Sequence, residues 1–138
     1  MSRTHFVQLN HGWNAEPNAP EPTVKVEGPK VTVLFRLNPF EHQAEPGERG
    51  LLTFTGCSRW RLGPTNDEGW YGGHCLYSET APRWGEFYEV ASADPAAQAA
   101  NDWHFVASPA QDERHFLFYF RDETFECSAG EWALARGK

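Results

Sequence analysis

Between residues 114 and 121 the chain alternates without a break. Phe116, Phe118 and Phe120 take one parity, and His115, Leu117 and Tyr119 take the other. A repeat of two is that of an extended strand, whose successive side chains leave on opposite faces; a helix would scatter the three rings around its circumference. A turn centred on Asp122 and Glu123 predicts Phe120 opposite Phe125 and Phe118 opposite Cys127. Upstream, Trp103 and Phe105 alternate with His104. A connection through Ser108, Pro109 and Asp112 predicts Phe105 opposite Phe116 and Trp103 opposite Phe118. Three consecutive strands then form a meander that gathers Trp103, Phe105, Phe116, Phe118, Phe120, Phe125 and Cys127 on one wall of the core.

The same period runs through the N-terminal half. Val31, Val33, Phe35 and Leu37 alternate with Lys30, Thr32, Leu34 and Arg36, and Val24 and Val26 alternate with Thr23 and Lys25. Gly28-Pro29 between these runs suits a type II′ turn, glycine taking the positive φ and proline the negative one. That turn predicts Val26 opposite Val31 and Val24 opposite Val33, all four on one face. Leu52, Phe54, Trp60 and Leu62 share a parity across residues 51–62, with a bend or bulge expected near Gly56. Residues 84–91 read as a further strand, with Trp84, Glu86, Tyr88 and Val90 on one parity and Phe87 and Glu89 on the other. Helix is expected only over 94–100, where Asp94 caps, Pro95 fits the first helical position and alanines follow. Residues 12–22, 38–50 and 63–82 have no period. The first of these, with Pro17, Pro20 and Pro22, is expected to run extended over the surface.

These features predict an all-β fold: an antiparallel β-sandwich or small β-barrel of about seven or eight strands with one short helix. A chain of 138 residues suits one domain spanning 1–138, and its 6 Trp, 4 Tyr and 10 Phe supply the apolar area to offset the ordering entropy. A net charge of −7 argues against nucleic acid and against anionic membrane surfaces as partners, because both would be repelled. No apolar run approaches the ~20 residues of a membrane helix. The first ten residues lack the apolar core of a signal peptide, so a cytoplasmic location is expected. Cys57, Cys75 and Cys127 are odd in number and widely spaced, which predicts free buried thiols rather than a disulfide framework or zinc site.

Residues 63–75 are the most unusual stretch. Glycines there allow close backbone approach to a ligand, Asn66, Asp67 and Glu68 supply polar groups, and Trp70 and Tyr71 supply stacking faces. The alternative is a self-bonded turn with Trp70 closing one end of the fold. No phosphate-cradling Gly-Lys-Ser/Thr motif is present. His74 and Cys75 are adjacent, so in an extended segment they point apart and serve each other poorly as base and nucleophile. The six histidines form no local chelating motif, and neither metal nor cofactor is expected. The meander register places His104 and His115 on one face with Tyr119 and Glu126. A solvated outer face is the simpler expectation for that set, and a polar or metal pocket the alternative. Glu86 and Glu89 lie at opposite parity, which argues against a paired-carboxylate glycosidase site. Arg59 and Arg61 face away from Trp60 and are placed to hold a carboxylate or phosphate of a ligand bidentately, the alternative being surface acids of the chain itself.

The function these residues suggest is binding of a small polar molecule or short peptide, with Asn66, Asp67, Glu68, Trp70, Tyr71 and Trp84 as the site. A small thiol- or His-dependent hydrolase and a homodimeric interaction domain are the competing readings.

Overall fold

The structure, a computed structural model, describes residues 5–16, 19–40, 44–63, 86–91, 103–108, 113–120 and 124–137. Ten strands are found among them: β1 (His5–Gln8), β2 (Thr23–Glu27), β3 (Lys30–Arg36), β4 (Arg49–Thr55), β5 (Arg59–Gly63), β6 (Phe87–Ala91), β7 (His104–Phe105), β8 (Arg114–Tyr119), β9 (Thr124–Ala129) and β10 (Glu131–Gly137). They form two antiparallel sheets, one of six strands in the order β1-β6-β8-β9-β5-β7 and one of four in the order β10-β4-β3-β2. The two sheets pack face to face as a sandwich rather than closing into a barrel. No helix occurs among the described residues, and the segment 94–100 lies outside them.

The hairpin of β2 and β3 has the expected register, with Val26 opposite Val31 and Val24 opposite Val33. Gly28 supplies the positive φ of 59° at its turn. Its inner positions continue across the small sheet, where Val31 faces Phe54 and Val33 faces Leu52. Trp132 lies opposite Phe54 on the other side, and Leu134 opposite Leu52. The bend near Gly56 proves to be the passage from one sheet to the other. Gly56, at φ 67°, turns the chain out of β4, and β5 begins three residues later in the large sheet. Leu52 and Phe54 therefore line the inner wall of one sheet, and Trp60 and Leu62 that of the other. Gly130 makes the reverse passage from β9 to β10 beside it, and its amide donates to the Thr55 carbonyl at 3.0 Å.

Between the sheets lies a core of rings. Phe118 sits 4.3 Å from Phe120 in a stacked pair, 5.1 Å edge-on to Phe35 and 5.4 Å from Phe87. Phe54 reaches Phe116 at 5.3 Å and Phe125 at 5.5 Å. Centroid separations of this size are those of favourable aromatic pairs. Trp13 closes one side, about equally distant from Phe35, Phe87 and Phe118.

Three sequence expectations need correction. The β8–β9 register is Phe118 opposite Phe125 and Phe116 opposite Cys127, two residues from that predicted, because the connection spans 120–123. An even slip keeps every side chain on its face, so the inner wall survives it. The 103–105 segment does not join the meander. The neighbour position beside β8 is taken by β6, and β7 instead pairs with β5 at the far edge. Trp103 and Phe105 consequently take the outer face of the sheet rather than the inner wall, Phe105 68% exposed and Trp103 buried. Residues 13–16 do not run over the surface: Trp13, Asn14, Ala15 and Glu16 are buried, and the Glu16 amide donates to the Arg36 carbonyl. Two further strands, β1 and β10, lie in segments that the sequence reading left unassigned, although Trp132 and Leu134 of β10 alternate with Glu131, Ala133 and Ala135.

Gly50 marks the tightest approach in the small sheet. A Cβ there would lie 2.7 Å from Cζ of Phe35 and 3.2 Å from Cδ2 of Leu37. Both neighbours are buried, so neither yields freely. Gly50→Ala is expected to destabilise the fold by about 1–3 kcal/mol in denaturant unfolding, as overpacking does, although alanine is ordinarily the better strand residue.

Candidate functional site

Alternation gives the large sheet a second face. Opposite the rings, β8 presents His115, Leu117 and Tyr119, β9 presents Thr124, Glu126 and Ser128, and β5 presents Arg59 and Arg61. The expectation of a solvated outer face fails here: His115, Leu117, Tyr119, Thr124, Glu126 and Ser128 are all buried. The face is divided. Tyr88, Val90 and Leu117 make its β6 side apolar, and the β9–β5 side carries the charge.

The polar side is built around Glu126. Its Oε1 accepts from Nη2 of Arg61 at 2.8 Å and from Nε at 3.1 Å, and its Oε2 lies 2.8 Å from Nε2 of His115. Register produces this: Arg61 stands directly across the ladder from Glu126, and Glu126 across from Leu117, next to His115. Burial pushes the Glu126 carboxyl up, but hydrogen bonding and charge from His115 and Arg61 outweigh it and hold the group below its ordinary value. One position along, Nε of Arg59 donates to Oγ of Ser128 at 3.2 Å. Trp103 lies against both arginines, its ring centroid 4.2 Å from the Arg59 guanidinium carbon and 4.3 Å from that of Arg61. It also meets His115 edge-on at 5.9 Å. Such cation–π contacts strengthen when water is excluded.

A second buried carboxylate is held differently. Oε2 of Glu86 accepts from the side-chain amides of Asn10 and Gln8, and Oε1 accepts from Asn14 at 3.1 Å. Asn10 in turn accepts the Phe87 amide at 3.0 Å. This cluster ties the chain after β1 to the start of β6. Glu89, at the opposite parity as expected, binds Arg114 at 2.5 Å.

The residues singled out for binding, Asn66, Asp67, Glu68, Trp70, Tyr71 and Trp84, lie outside the described residues, as do His74 and Cys75. His104 and His115 are not brought together. His104 shares the inner parity with Trp60, 4.6 Å from its ring, and His115 is on the outer face. His115 and Glu126 do converge, as the shared-face reading expected. Arg59 and Arg61 take carboxylate and hydroxyl partners from the chain itself. The role of Trp103 was missed. Its parity relative to Arg59 and Arg61 becomes meaningful only once β7 is known to pair with β5. Cys57 and Cys127 are buried free thiols. Burial pushes the Cys127 thiol well up, and the hydrogen bond from Cys127 draws that of Cys57 down. Comparison with protein-family models, curated proteins and solved structures finds no match to this chain.

The depressed Glu126 carboxyl has a pH signature. A lowered folded-state value contributes stability that is complete above the unfolded value, 4.5, and is lost as pH falls through the lower folded value. Glu126→Gln leaves Arg61 and His115 without their carboxylate. It is expected to cost about 3–5 kcal/mol at neutral pH and to flatten this part of the acid-side loss. Urea unfolding at stepped pH checks both.

Proposed function

We propose that this chain is a binding module for a small polar molecule or short peptide. Recognition is assigned to Asn66, Asp67, Glu68, Trp70, Tyr71 and Trp84 acting with the charged side of the large sheet. The observation that carries the reading is the shared position of Trp103 against two guanidinium groups, beside the Arg61–Glu126–His115 cluster. Buried ion pairs suffer a desolvation cost that an apolar surface of similar shape avoids. The other half of the same face, with Tyr88, Val90 and Leu117, is such a surface, so charge is not needed there to cover a sheet. Clustered ionisable groups with shifted protonation equilibria, such as Glu126, are enriched at functional sites. Chain continuity adds support: β5 ends at Gly63, opposite Thr124 and two residues beyond Arg61, and the 63–75 segment starts from that point.

The competing thiol reading rests on Cys75, which lies outside the described residues; of its two candidate bases, His104 and His115 take opposite faces of the large sheet.

The test is a calorimetric screen of polar metabolites and short peptides, followed by titration of Arg59→Gln, Trp103→Leu, Asp67→Ala and Trp70→Ala variants. A ligand of this site should lose about tenfold or more in affinity with Arg59→Gln and Trp70→Ala, the worth of a charged hydrogen bond or an aromatic contact. Unchanged affinity in all four folded variants would reject the assignment.

A further inference from the structure

The outer face of the small sheet carries a feature that the binding reading above does not use. Arg36 and Arg49 lie directly opposite each other on β3 and β4. Like charges opposed across a ladder are destabilising. Arg36 has a loose, exposed partner in Glu21 at 3.9 Å, and Arg49 makes no ion pair among the described residues. Arg136 on β10 is held by Glu48 at 3.1 Å. Two ladder positions inward, the next row on this face, Leu34, Leu51 and Ala135 line up across three strands and put an apolar strip beside a further row of Thr32, Thr53 and Ala133. Leu34, Leu51 and Ala135 floor a cleft of about 340 Å³, and Arg49 and Arg136 flank it. A smaller cleft of about 110 Å³ adjoins it through Leu34 and Arg49 and reaches Arg36.

We propose that this cleft binds a small organic carboxylate with an apolar body. The carboxylate would sit between Arg36 and Arg49, and its hydrocarbon part would cover Leu34, Leu51 and Ala135. Charge complementarity selects the head group: a carboxylate between two guanidinium groups turns their mutual repulsion into two charge-assisted contacts. The row of apolar side chains selects the body. The volume stands at the low end of the roughly 300–1,000 Å³ of small-molecule sites. In a chain with a net charge of −7, a local concentration of arginine is also the surface that an anion can approach.

Octanoate is the probe, titrated by calorimetry at low salt against the intact chain, with 1-octanol and inorganic phosphate as controls. Saturable octanoate binding is expected, at least about tenfold tighter than either control. Arg49→Gln and Leu51→Thr should each weaken it, the first by about tenfold or more. Both side chains lie on the outer face, and thermal unfolding confirms that the variants fold. Trp103→Leu, on the other sheet, should leave octanoate affinity unchanged, which separates this site from the one proposed above. Absence of saturable binding, octanol or phosphate binding as tightly as octanoate, parent-like affinity in Arg49→Gln or Leu51→Thr, or weakened binding in Trp103→Leu would each overturn the proposal.

Discussion

The architecture depends on the β8–β9 ladder being closed to water on both sides. Phe116, Phe118, Phe125 and Cys127 press into the aromatic interior, and Leu117, Tyr119, Glu126 and Ser128 are equally buried on the reverse. A strand in an ordinary sandwich has one dry face and one wet face, and its polar residues go to the wet one. Here the reverse face had to satisfy its polar groups internally, because a buried carboxylate without partners is too costly to keep charged. Arg61 and His115 meet that requirement for Glu126, each at 2.8 Å. The position of β5 beside β9 follows from the same need, since that pairing sets Arg61 across from Glu126. Fold and charge cluster are thus two consequences of one ladder.

Passage between the sheets is handled by glycine at two adjacent corners. Gly56 takes a positive φ that side-chain-bearing residues rarely adopt, and Gly130 stands close enough that a Cβ on Gly56 would lie 3.7 Å from its amide nitrogen. The inward parity stays even from β4 to β5 across Gly56, and passes from odd in β9 to even in β10 across Gly130. Phe54 on one sheet consequently meets Phe116 and Phe125 on the other, and the ring contacts join both sheets into a single interior.

Local pattern carried as far as period and turn chemistry reach. The hairpin at Gly28-Pro29 was legible to the residue, because glycine and proline specify the turn and the alternating valines specify the face. The inner wall of β8 and β9 was legible in parity but not in register, since a two-residue slip leaves parity untouched. What the sequence did not show was which strands become neighbours. Trp103 has the same alternation whether it sits beside β8 or beside β5, and only the second position puts its ring against Arg59 and Arg61. Glu86 and Asn14 are 72 residues apart, and no local rule connects them. The composition that singled out Asn66, Asp67, Glu68, Trp70, Tyr71 and Trp84 concerns residues outside the described set, so that site rests on chemistry and chain continuity alone. Arg36 and Arg49 likewise become a pair only through the β3–β4 register.

Native-state hydrogen exchange tests the central role of the doubly buried ladder most directly. The account predicts that the paired amides of β8 and β9 exchange only through global unfolding, with an opening free energy equal to that from denaturant unfolding, and that the edge strands β1 and β7 exchange through smaller openings. Amides of β8 and β9 exchanging as readily as those of β1 and β7, well below the global free energy, would contradict it.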